Sequence, residues 1–327
     1  TIAIFSCVVR RLRFSGPKTS IICSPMTSLK TSIKTITYLS DIGCLEIQGA
    51  SLATEGIKMT KISERWKHNG ITEGYCNICG KYGLLTKDHV PPKCAITLGP
   101  VLQKTVSEFF GIQEPVKPLN AKNGSYFRTI CSHCNNKVLG GLDVAIENVT
   151  KSFKEQLSRY MNGMNVYPFI RIPFDSISFT KAMIGHVLSA TSVEDCKKEP
   201  VDSPFYTPLK DYVLGKNSSF EETHDIYYWF YPHRMHISAQ SVAFMNEGHV
   251  AFICALHFFP IGFIITMKNE GTYPAHSTKL ELEDKFLTFN MTSINYEYTT
   301  FPFVNLKGNQ MYAISNGHTC VSYPIIK

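Results

Sequence analysis

Four cysteines stand in two C-x-x-C pairs, Cys76/Cys79 and Cys131/Cys134, with 51 residues between the pairs. Each pair spaced this way can grip one side of a tetrahedral zinc ion, so the two together can close a single site. Four thiolates fill the coordination sphere and leave no position for water, so such a zinc builds structure and does not catalyse. Any chemistry must come from what the zinc holds in place. Nine residues after Cys79 come Asp88 and His89, followed by Val90-Pro91-Pro92-Lys93, and directly after Cys134 come Asn135-Asn136-Lys137. A carboxylate, an imidazole and a carboxamide are thereby tied to one frame.

With CNIC at 76–79, DHVP at 88–91 and CSHCNNK at 131–137, the chain resembles the HNH (ββα-metal) nucleases in their zinc-knuckle form, over about 65 of its 327 residues. The resemblance implies a zinc-stapled ββα-metal, treble-clef-like module. In it His89 is the general base that takes a proton from the attacking water, and Asp88 and Asn135 hold a catalytic Mg²⁺ or Mn²⁺. Cys76, Cys79, Cys131 and Cys134 hold the structural zinc. The family's middle Asn, which steadies the hairpin and orients the base, has no clean counterpart in this chain: Asn123, eight residues before Cys131, is the nearest and Asn120 lies further away. The implied activity is phosphodiester hydrolysis, on DNA ahead of RNA, with little intrinsic sequence specificity because no base-edge readers stand out. Lys87, Lys93, Arg128 and Lys137 surround the motif and could contact backbone phosphates. The competing reading is a non-catalytic zinc-knuckle module that binds nucleic acid or protein, in which the cysteines do everything and Asp88 and His89 are incidental.

Charge is distributed in keeping with a local polyanion site. The net +7 divides into +4 over residues 1–58, +6 over 59–160 and −3 over 161–327. The basic excess therefore surrounds the knuckles, and the acidic, aromatic-rich second half is a poor nucleic-acid surface. Eleven cysteines in a long chain, seven of them scattered singly, do not form the framework of a small secreted domain. A reduced, cytoplasmic setting is expected.

The elements that must position these residues follow from pattern. Residues 75–93 predict a β-hairpin built on a knuckle, and a loop-rich connector from 94 to 125 contains one stretch, VLQKTVSEFFGI, with helical periodicity. Leu142, Ile146, Val149, Phe153, Leu157 and Met161 lie at helical spacing. Residues 165–327 alternate apolar and polar over short runs, interrupted by the helical SFTKAMIGHVLSATS, and predict an α+β domain with a mostly antiparallel sheet. Its longest apolar run, Val250–Met267, contains Pro260 and Gly262 and predicts two buried strands joined by a turn, with no membrane span. Three regions are expected: 1–58, a poorly structured tail or gene-model extension upstream of Met59; 59–160, the nuclease-like module; and 161–327, a domain of open role, suited to sensing, partner binding or homo-oligomerisation.

Overall fold

The computed structural model describes residues 12–13, 71–105, 118–163, 167–246, 249–270, 273, 277–291, 310–315 and 320–325. The expectation for residues 1–58 lies outside the described residues, apart from β1 (Leu12–Arg13), which pairs antiparallel with β14 (Gln310–Ser315).

The knuckle region is a small antiparallel sheet of β2 (Glu73–Tyr75), β3 (Tyr82–His89) and β6 (Tyr126–Cys131), in the order β2-β3-β6. The turn between β2 and β3 is closed by the Cys76 N–H on the Lys81 carbonyl (2.9 Å) and the Gly80 N–H on the Cys76 carbonyl (2.8 Å). It needs a left-handed residue, and Gly80, at φ 73°, provides it without a Cβ clash. After β6 the chain makes a π-helical turn, Cys134–Leu139, and enters α1 (Asp143–Met161), which buries Ile146, Val149 and Phe153 of the helically spaced set, whereas Leu142 precedes the helix, Leu157 is half-buried and Met161 is exposed.

A ten-stranded sheet forms the larger layer. Its main path runs β12 (Thr278–Leu280), β8 (His224–Phe230), β11 (Ile261–Met267), β10 (His249–Phe258), β9 (His236–Asn246), β15 (Cys320–Pro324), β4 (Val101–Thr105), β5 (Leu119–Ala121), with β14 and β1 branching from β9. Neighbours pair antiparallel, and β7 (Phe169–Pro173) pairs antiparallel with β13 (Phe286–Asn290). The chain is thus α+β with mostly antiparallel sheets. The Val250–Met267 run falls on β10 and β11, two paired strands, and among the described residues no helix is long and apolar enough to cross a membrane.

One expectation is corrected. Residues 101–105 are not helical: they form β4, whose alternating burial fits a strand, and the rest of VLQKTVSEFFGI lies outside the described residues. The period of two prevails because β4 finds a ladder on each side, β15 and β5.

Between the two sheets lies α2 (Ser176–Ser189), which packs against β9 and β10 of the large sheet, against β3, β6 and the π turn, and against α1 and α3 (Tyr206–Val213). Every residue from Ala182 to Ala190 is buried, as a helix apolar on nearly all faces requires. Asp175 caps its N-terminus by accepting the Ser178 N–H at 3.1 Å. Hydrogen bonds reinforce this docking: Thr129 Oγ1 donates to the Ser189 carbonyl (2.6 Å), Asn77 Nδ2 to the Leu188 carbonyl, and Ser238 Oγ to the Val90 carbonyl (3.2 Å). Packing therefore runs continuously across residues 160/161, where α1 ends.

Candidate functional site

The turn after β2 presents Cys76 and Cys79, and the end of β6 with the π turn presents Cys131 and Cys134. Their four sulfurs lie within 4.8 Å of one another. The Cys131 N–H donates to Cys76 Sγ at 3.3 Å, a backbone bond suited to a thiolate. A hydrogen bond from the Cys134 thiol holds Cys76 down to about 5, whereas burial pushes Cys79 up to about 11, and the hydrogen bond to Cys76 followed by burial raises Cys134 strongly. One thiol ionises readily at the expense of its neighbours. A soft divalent cation relieves that conflict by compensating all four charges at once, so the donor set fits a metal ion such as zinc.

Asp88 and His89, adjacent at the end of β3, have different surroundings. His89 is half-buried and donates Nε2–H to the backbone carbonyl of Asn123 at 3.1 Å. Because a carbonyl can only accept, this bond fixes the tautomer and leaves Nδ1 as the proton acceptor. Burial, and then the charge of Lys93, lower the His89 pKa, so the ring is neutral at neutral pH. Tyr126, directly across the ladder from His89, sets its ring 6.0 Å away, and Lys87 Nζ lies 4.4 Å from the Tyr126 ring centre. Lys87, His89 and Tyr126 thus share one face of the hairpin.

Asn135, in the π turn, donates Nδ2–H to Thr86 Oγ1 (3.1 Å) and to the Lys87 carbonyl (3.0 Å). The amide nitrogen is used in holding β3, and Oδ1 is the atom left to accept from a ligand or bind a cation. Lys93 and Lys137 are exposed, whereas Arg128 is half-buried and directs Nη1 to the Leu85 carbonyl at 3.4 Å. Arg128 braces the hairpin at least as much as it offers charge to a ligand.

Asp88, only 3% exposed, makes its contacts inward. Its Oδ2 accepts from His186 Nδ1 at 3.1 Å and from the Ser189 hydroxyl, both on α2. His186 Nε2 reaches Asp143 Oδ1 at 2.9 Å, at the start of α1. Burial opposes charging this imidazole, but Asp88 and then Asp143 outweigh it and lift His186 to about 10, so it is a cation between two carboxylates. Sequence reasoning missed His186, Ser189, Asp143 and Tyr126. The one available signal was an ionisable residue inside the apolar run AMIGHVL, and it does not name its partner.

No protein-family model matches the chain, and no solved structure matches it. Over 49 residues it is 94% identical to the uncharacterized protein YuaK of Escherichia coli (strain K12), a match covering 15% of this chain and 52% of that protein. The chain spans about half the length of the curated relative it matches.

Proposed function

We propose that the knuckle hairpin, the π turn and α1 form a treble-clef-like ββα-metal module, and that the protein is a divalent-metal-dependent endonuclease acting on DNA ahead of RNA. The observation that carries this reading is the setting of His89: a neutral ring whose Nε2–H is committed to the Asn123 carbonyl, beside Lys87 and Tyr126, on the frame built by the cysteines. Asn123 thereby does what the family's middle Asn does for the base. His89 Nδ1 takes the proton of a water whose oxygen bonds to phosphorus while the bond from phosphorus to the 3′-oxygen breaks. Asp88 and Asn135 would hold a Mg²⁺ or Mn²⁺ ion, which would supply Lewis-acid stabilisation of the phosphate and the leaving oxygen. Lys87, Lys93 and Lys137 hold the strand by its phosphates, which makes binding salt-dependent and largely indifferent to sequence.

Plasmid nicking by zinc-loaded protein with Mg²⁺ or Mn²⁺ tests the reading. Loss of the base lowers the rate by about 10²- to 10⁴-fold, so His89→Ala is expected to keep its zinc and its fold and to lose nicking. Equal nicking by both proteins, or none by either, favours the second reading, a non-catalytic binding module. One observation favours that alternative: Asp88 is nearly inaccessible, and its Oδ2 is engaged by α2, as in a residue whose work is structural.

A further inference from the structure

His186, Asp88 and Asp143 are brought together from α2, β3 and α1. His186 is 2% exposed, and each ring nitrogen faces a different carboxylate, Asp88 Oδ2 at 3.1 Å and Asp143 Oδ1 at 2.9 Å. Packing alone does not call for this arrangement. The rest of α2 from Ala182 to Leu188 is apolar, and a leucine at 186 would fill the same layer without placing charge in it. What the imidazole adds is direction. Together with the Ser189 hydroxyl it supplies two donors to one oxygen of Asp88, which fixes the rotation of that carboxylate and leaves Oδ1 outside both bonds.

We infer that His186 is the positioning residue for Asp88, so that helix α2, from the second half of the chain, completes the divalent-ion site of the hairpin. Resting on the endonuclease reading, this inference gives the second half a role in that site: displacing α2 releases Asp88 from its orientation. Asp143 anchors the far side of the ring, so the start of α1 is held in the same arrangement.

Two substitutions separate orientation from bulk. In His186→Asn the side-chain amide lies where Nδ1 was and can still donate to Asp88, but it falls short of Asp143. In His186→Gln the amide lies where Nε2 was, keeping Asp143 and abandoning Asp88. The measurements are Mn²⁺ binding to zinc-loaded protein without DNA, followed by electron paramagnetic resonance, and the Mn²⁺ concentration giving half-maximal nicking, alongside zinc content and melting temperature. Loss of an orienting partner typically weakens metal affinity by about 10- to 100-fold. The Gln variant is expected to show that loss in both measurements, and the Asn variant a severalfold smaller one, at comparable melting temperatures. Wild-type affinity in the Gln variant, or equal weakening in both variants, overturns the positioning role while wild-type nicking leaves the endonuclease reading standing. A wild-type protein that neither binds Mn²⁺ nor nicks overturns both. If neither His186 variant folds, Ser189→Ala decides: it removes the other donor to Asp88, and unchanged Mn²⁺ affinity in it overturns the inference.

Discussion

Cys134 hydrogen-bonds Cys76 within a group of four thiols, and its removal separates a metal centre from a packed thiol cluster. Serine preserves the size and the hydrogen bond of Cys134 but is a poor zinc ligand. If the cluster is only packed, Cys134→Ser has little effect. If it holds zinc, the variant loses tightly bound metal, measured by elemental analysis after gel filtration, along with several kcal/mol of stability. A chelator should then lower the melting temperature of the wild type and leave that of the variant unchanged. These cysteines were legible in the sequence because ligand spacing within each pair is local, and the two pairs needed only one assumption to join them. The same locality made Asp88-His89 visible as a dipeptide while hiding its division of labour. One side chain turns outward to Asn123 and Tyr126, and the other turns inward to a histidine 98 residues further along the chain. No local spacing encodes a partner at that distance.

Gly185 interrupts an otherwise strong helix, and helix propensity alone favours alanine there by about 1 kcal/mol. The structure gives the reason for glycine: a Cβ at 185 would run into the side chain of Leu139, with Cγ at 3.3 Å and Cδ1 at 3.4 Å, and Leu139 is fully buried in the turn that carries Asn135. Overpacking of this kind costs about 1–3 kcal/mol. Gly185→Ala is therefore expected to be net destabilising, by up to about 2 kcal/mol in urea unfolding, opposite in sign to the propensity scale. A stabilised variant would mean that α2 and the π turn are not in this contact. At the scale of elements, α1, α2 and the strands β7 to β11, β13 and β14 could be read from the sequence, because each carries its own period or alternation over enough residues. Others could not, β4 and α3 among them. β4 sits in a Gly/Pro-punctuated connector and is a strand only because it meets β15, more than 200 residues later in the chain. Eight-residue α3 is too short for a helical period to stand out, and its stability comes from packing on α2.

Joining the knuckle hairpin to the large sheet through α2 gives one continuous core, and that core encloses histidines as well as apolar side chains. Burial depresses His224 to about 4, His236 to about 4 and His257 to about 3, the last with a further push from His233. In the unfolded chain each titrates near 6.5. Between about 6.5 and 4 the unfolded state therefore binds more protons than the folded one, and stability must fall as the pH falls through that window. His186 offsets a fraction of this fall above about pH 6, because the folded state already holds its proton while the unfolded chain takes one up only near 6.5; below that it is protonated in both states. Glu270, lifted to about 7 by burial, runs the other way and offsets about one of the three histidines, because acid restores the neutral form that its site favours. The net expectation is a loss on the order of a few kcal/mol between pH 7 and pH 5, read from urea unfolding midpoints. Acid also strips metal from thiolates, so the histidine contribution is isolated by His236→Gln, which removes one linked proton and should flatten the slope by about a third to a half. An unchanged slope in that variant would place the acid sensitivity at the cysteine centre and not in the core.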